Sequence, residues 1–130
     1  MAFKEPLVRQ RQRSGAQAHF RGACAEDSVA RWYRAQGGDI IEYRWRGASG
    51  EIDLIIRQNG VVVFCEVKSS KNRERAIQSL SERQIACICA AAEEYVGALP
   101  DGQLTEMRFD FAIVGPDGMP EILQNAFCAH

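Results

Sequence analysis

Apolar residues in this chain repeat first at helical spacing and then at strand spacing. Gly22, Glu26, Val29, Ala30 and Tyr33 share one side of a helix predicted from about Ser14 or Gly15 to Gln36, with Gly37-Gly38 to close it. Glu26 therefore sits on a partly buried face. Asp39 to Arg46 alternates, with Ile40, Glu42, Arg44 and Arg46 against Ile41, Tyr43 and Trp45, which predicts a first strand. Gly47-Ala48-Ser49-Gly50 is a loop. Glu51–Arg57 and Val61–Lys68 predict two further strands around Gln58-Asn59-Gly60. Ser69 to Gln78 is polar and charged, and reads as a flexible surface loop. Ser81 with Gln84 three residues on is a capping-box signature. Ile85, Ile88, Ala92, Tyr95 and Leu99 then carry a helix that ends near Gly97 to Pro100. Thr105 to Val114 alternates, with Met107, Phe109, Phe111 and Ile113 facing one way. Pro116-Asp117-Gly118 is a turn, and Glu121 to Phe127 fits either a short strand or a helical turn.

The order is α-β-β-β-α-β. The link from the third strand through the second helix is long enough for a parallel crossover. The expected fold class is α/β, a mixed sheet of four or five strands with helices on both faces. Residues 1–14, with Lys4, Arg9, Arg11 and Arg13, read as a basic arm or an ordinary chain end. Residues 15–130 form one domain, as the length allows.

The hairpin fixes a register. Both central residues of a type I′ turn need positive φ, which Asn-Gly tolerates best. Gln58 then pairs with Val61, Asp53 falls opposite Glu66, and Glu51 falls opposite Lys68. Asp53, Glu66 and Lys68 share a face with Ile55, Val62 and Phe64. Opposed like charges destabilise a sheet, so the pair needs compensation. A divalent cation between the carboxylates would supply it, since hard ions such as Mg²⁺ take oxygen ligands and keep several waters. Lys68 could then orient one of those waters. The plainer reading is a solvated face with a Glu51–Lys68 ion pair.

Charge is unevenly spread over the 130 residues, although the net is −1. Residues 1–46 carry nine Lys and Arg against five Asp and Glu, and residues 57–84 carry six against three. Residues 85–130 carry Arg108 against seven acids. A basic front and an acidic rear suit a face that meets a polyanion. No stretch approaches the roughly twenty apolar residues of a membrane span, and the start lacks a secretory signal. The five cysteines are odd in number and form no C-x-x-C pair, which predicts free thiols in a reduced cytoplasmic protein. His19 and His130 are the only histidines, too few for a zinc site or a Ser-His-Asp triad. Arg108 and Asp110 share a strand face and read as a structural ion pair. Trp32, Tyr43 and Trp45 could stack on unpaired bases, but packing is the simpler expectation.

Gly50-Glu51-Ile52-Asp53-Leu54-Ile55, followed by Phe64-Cys65-Glu66-Val67-Lys68, resembles the restriction-endonuclease-like nuclease motif, an acid, a spacer and then E-x-K. Over roughly residues 15–127 the chain is similar to the YraN-like bacterial family of that superfamily. Gly22, Glu26, the alanine-rich second helix and Arg108-Phe109-Asp110 extend the match. Similar motifs occur in archaeal Holliday-junction resolvases. The resemblance implies a restriction-endonuclease-like αβββαβ core. It makes Asp53 and Glu66 metal ligands for Mg²⁺ or Mn²⁺, with the backbone carbonyl of Val67 as a further ligand. Lys68 becomes the lysine of the catalytic motif, and Glu26 the helix acid that completes the site. The chain departs from the pattern at Ser69-Ser70, where relatives place a basic residue, and at Cys65.

The expected function is metal-dependent hydrolysis of a nucleic-acid phosphodiester, with DNA, including branched DNA, as the favoured polymer. Arg9, Arg11, Arg13, Lys71, Arg73 and Arg75 would contact phosphates. Junction-cutting relatives act as dimers, so a homodimer is one assembly the resemblance suggests. The alternatives are a non-catalytic nucleic-acid-binding module on the same fold, or an adaptor that binds protein through its acidic carboxy-terminal third.

Overall fold

The structure, a computed structural model, describes residues 24–128. The proposed arm with Arg9, Arg11 and Arg13, and also Gly22, His19 and His130, lie outside the described residues. Helix α1 covers residues 24–35 of the described chain. It closes as the sequence predicts: Gly37 stands at φ 88°, its N–H donates to Arg34 O, and Gly38 N–H donates to Tyr33 O at 2.8 Å. A side chain at Gly38 would collide with Ile56 and the Tyr33 carbonyl, so the helix meets the sheet closely there.

Five strands follow: β1 (Asp39–Arg46), β2 (Glu51–Gln58), β3 (Val61–Ser69), β4 (Met107–Val114) and β5 (Pro120–Leu123). They form one mixed sheet in the order β1-β2-β3-β4-β5, with β3 and β4 parallel and the other neighbours antiparallel. The β3-to-β4 link contains α2 (Arg73–Gln78) and α3 (Glu82–Gly97). The expected α/β class and mixed sheet are therefore observed, and the undecided last segment begins as a strand.

Two large apolar clusters cover the two faces, and Ala76 of α2 forms a smaller third one with Phe111 and Ile113. Ala25, Val29, Ala30 and Tyr33 of α1 pack on Leu54, Ile56, Val63, Cys65, Ala112 and Val114. Ile88, Ala91, Ala92 and Val96 of α3 pack on Ile52, Ile55, Val62, Phe64 and Phe109. Burial of these apolar surfaces is the main stabilising term. Trp32 and Trp45 pack edge-on against Tyr33 and Tyr95, and Tyr43 is exposed with its hydroxyl bonded to Arg34.

Three expectations are corrected. Residues 73–78 are helical rather than loop. Asn72 caps them by accepting the Arg75 N–H, and Ala76 is buried. The alternation of β1 is broken by a bulge between Ile40 and Glu42 and by Arg44 at φ 51°. The cysteines are not all free: Cys89 of α3 and Cys128 are joined by a disulfide, with Cα atoms 6.2 Å apart, which fixes the end of the described chain to α3. Cys24, Cys65 and Cys87 are free, and of these only Cys65 is buried.

Candidate active site

The Asn59-Gly60 turn has φ 52° and 79°, and the register beside it is the one the sequence predicts, although the ladder stops short of the expected Asp53–Glu66 and Glu51–Lys68 pairs. Gln58 pairs with Val61, and the ladder continues to Leu54 opposite Cys65. The strands then change their relationship. Leu54 and Ile56 pack on the α1 side, while Ile55 and Ile52 both pack on the α3 side. The two-residue alternation thus slips by one at Asp53. In place of a ladder bond, the Asp53 carboxylate accepts the N–H of Val67 through Oδ2 at 2.8 Å.

Glu66, 7 % exposed, lies beside Asp53. The two carboxyls are close enough to influence one another electrostatically. Burial, then the neighbouring Asp53 charge, pushes Glu66 up to about 8. Burial also raises Asp53, while its bond from the Val67 N–H opposes the rise. Lys68 Nζ stands 3.9 Å from Glu66 Oε2. Arg46 pairs with Glu51 at 3.7 Å, so the plainer Glu51–Lys68 ion pair is not formed. The parting of β2 from β3 explains this, because Glu51 stays in register with β1, opposite Arg46.

Glu26 reaches the cluster from α1. Burial and then the Asp53 charge push it up to about 7, although Arg44 holds it with Nε to Oε1 at 3.0 Å. The slip at Asp53 is what allows one side chain to sense Glu66, on the α3 side, and Glu26, on the α1 side. The four candidate catalytic residues Glu26, Asp53, Glu66 and Lys68 are thus gathered at one place.

Two contributors were not legible beforehand. Gln84 Nε2 donates to Glu66 Oε2 at 2.7 Å. The residue does cap α3 with its backbone N–H on Ser81 Oγ, but its side chain goes to the acid and not back to the helix start. Arg44 is the other, and no sequence signal marks it.

The remaining candidates divide. Lys71 and Arg75 are exposed, whereas Arg73 is held by both carboxylate oxygens of Glu121. Asp110 is fully buried and takes bonds from Arg108 Nε and Nη2, from Asn125 N and from the Tyr33 hydroxyl. It is the structural ion pair expected, bonded on both oxygens.

Among the described residues, no group of three or more His, Cys, Asp or Glu side chains is arranged to hold an ion by itself. The donor chemistry at Asp53 and Glu66 nonetheless fits a Mg²⁺-like ion, which uses one or two carboxylates and retains water. Val67 turns its N–H to Asp53, and Lys68 follows on the same strand.

Comparison with known proteins agrees with the scale of this unit. The family model described as uncharacterised protein family UPF0102 matches residues 25–114. The chain is 50 % identical over 113 residues to a UPF0102 protein of Ruegeria pomeroyi, covering 87 % of this chain and 92 % of that one. It is 47 % identical over 116 residues to one of Cereibacter sphaeroides, covering 89 % and 99 %. It is also 47 % identical over 120 residues to one of Dinoroseobacter shibae, covering 92 % and 90 %.

Proposed function

The chain belongs to the uncharacterised protein family UPF0102, and from that premise we propose that it is a metal-dependent endonuclease that hydrolyses nucleic-acid phosphodiesters, with DNA favoured and branched forms included. The observation that carries the reading is the neighbouring carboxyls of half-buried Asp53 and buried Glu66, with Asp53 held by the Val67 N–H and Lys68 beside Glu66. Two neighbouring carboxyls withdrawn from water are unfavourable for folding, and a cation site gives a reason for them. The resemblance of the Asp53, Glu66 and Lys68 segments to restriction-endonuclease-like nucleases supports the same reading.

Asp53 and Glu66 would hold the Mg²⁺ or Mn²⁺ ion, with the Val67 carbonyl as the further ligand. A bound divalent ion supplies charge neutralisation at the phosphate and a water of lowered pKa. Lys68 aligns the attacking water or meets the negative charge that develops. The water oxygen bonds to phosphorus, one bridging P–O bond breaks, and the leaving oxygen departs with a proton. Gln84 keeps Glu66 in one orientation. Lys71 and Arg75 offer exposed charge to flanking phosphates.

The test is a cleavage screen with Mg²⁺ and Mn²⁺ against linear, flapped, four-way-branched and single-stranded DNA and RNA. Asp53→Ala is the control. Cleavage lost in the control supports the reading. DNA binding that is indifferent to metal, without cleavage, favours a binding module. No nucleic-acid binding at low salt favours a protein-binding adaptor.

A further inference from the structure

Arg44 occupies the left-handed backbone region, φ 51°, in the interior of β1. A long-chained residue is uncommon there, and such backbone costs about 1–3 kcal/mol. The cost has a visible result. Tyr43 bonds Arg34 of α1, and Arg44 bonds Glu26 of α1, so two successive strand residues reach the same helix. Trp45 then returns to α3 through Tyr95. Regular alternation would have sent Arg44 away from Glu26.

The register supports the same placement. Tyr43 pairs with Leu54 and Trp45 with Ile52, so Arg44 falls across from Asp53. Its side chain is 35 % exposed, and among the described residues Glu26 is its one side-chain partner, through Nε. Both terminal nitrogens stay available. A guanidinium fork matches two phosphate oxygens better than an ammonium does. The site also needs positive charge, since Glu26, Asp53 and Glu66 bring three carboxyls against Lys68 and Arg44.

We propose that Arg44 is a phosphate-binding residue of this site: Glu26 fixes its Nε, and its two terminal nitrogens hold non-bridging oxygens of the nucleic-acid backbone. The proposal rests on the nuclease reading for its substrate class. It adds a contact outside the acid-and-lysine motif.

The experiment measures binding apart from chemistry. The full chain is titrated with fluorescein-labelled oligothymidylate in Ca²⁺ and without metal, and cleavage is followed separately in Mg²⁺. Arg44→Asn removes the guanidinium with a residue that tolerates left-handed backbone, so misfolding does not obscure the result. Arg44→Asn should weaken oligothymidylate binding by about 10- to 100-fold, as for a lost charged hydrogen bond. Arg44→Lys should fall between the two. The same pair is made in a Glu26→Gln background. A prop that only holds Glu26 would lose its effect there, whereas a phosphate contact keeps it. In that background Arg44→Asn should melt no lower than its parent, because the backbone strain is relieved.

Unchanged affinity in Arg44→Asn overturns the proposal even if the wild type cleaves DNA. A wild type that binds no oligothymidylate in either condition also overturns it. Arg44-dependent binding without cleavage of any substrate keeps the phosphate contact and refutes the nuclease reading.

Discussion

Gln84 donates its side-chain N–H to Glu66 at 2.7 Å and thereby ties the start of α3 to the central strand at the acid pair. The bond leaves Glu66 one oxygen for a ligand and selects its rotamer. Groups of this kind around a ligating carboxylate commonly change metal affinity or activity by about 10- to 100-fold. Gln84→Ala should therefore weaken Mn²⁺ binding, followed by calorimetry, by about tenfold. It should barely move the helix content, because Ser81 still accepts the backbone N–H of residue 84. Equal Mn²⁺ affinity would show that the bond does not position a ligand.

The acid cluster makes stability depend on pH in a specific direction. Glu26 and Glu66 have ordinary values of 4.5 and are raised to about 7 and about 8 in the fold, chiefly by burial and then by Asp53. The folded state thus binds more protons than the unfolded chain between these values. Its advantage is full below about pH 4.5 and is lost as pH rises through about 8. Urea unfolding without metal should show falling stability across that window. Millimolar Mg²⁺ should recover part of the loss at the alkaline end by binding the folded state. Asp53→Ala should flatten the slope. A slope of the opposite sign would mean that the carboxyls are ionised in the metal-free protein.

Chemistry and affinity should separate between Lys68 and the basic arm. Lys68→Ala should slow single-turnover cleavage by about 100-fold or more, with nucleic-acid affinity nearly kept. Deletion of residues 1–14 should do the reverse. Each phosphate contact it removes lowers the slope of log affinity against log salt by about 0.7–0.9. An unchanged slope would show that Arg9, Arg11 and Arg13 touch no phosphate.

Asp110 should matter to folding and not to the reaction. Arg108 supplies two of its bonds, at 2.9 and 3.0 Å. Arg108→Leu should cost about 3 kcal/mol in urea unfolding, because a buried carboxylate loses its counter-charge. Tyr33 and Asn125 remain as donors and limit the loss. The cleavage rate per folded molecule should not change.

The hairpin was legible because its rules are local. Asn59 and Gly60 fix the turn, the turn fixes the register, and Glu66 and Lys68 follow on β3. Leu54, Ile56, Val63 and Phe64 announce a sheet buried on both faces. Arg44 left no trace, because positive φ at an arginine is imposed by the strand pairing and has no residue signature. Residues 73–78 were misread because one buried alanine gives no periodicity. The Asn72 cap was the available sign. Gln84 shows a different limit. Its position fits a capping box so well that the local motif concealed a bond to Glu66 eighteen residues away. The Cys89–Cys128 disulfide needed the path of the chain after β5, which the sequence left undecided.

The Val67 N–H ends on a carboxylate instead of a neighbouring strand's carbonyl. Its amide resonance is thus a spectroscopic reporter placed inside the acid pair. The proton should move downfield as Asp53 ionises and move again when a cation takes charge from Oδ2. A single cross-peak in a nitrogen–proton spectrum would then read both the titration and the occupancy of the site, in a protein for which no substrate has to be known.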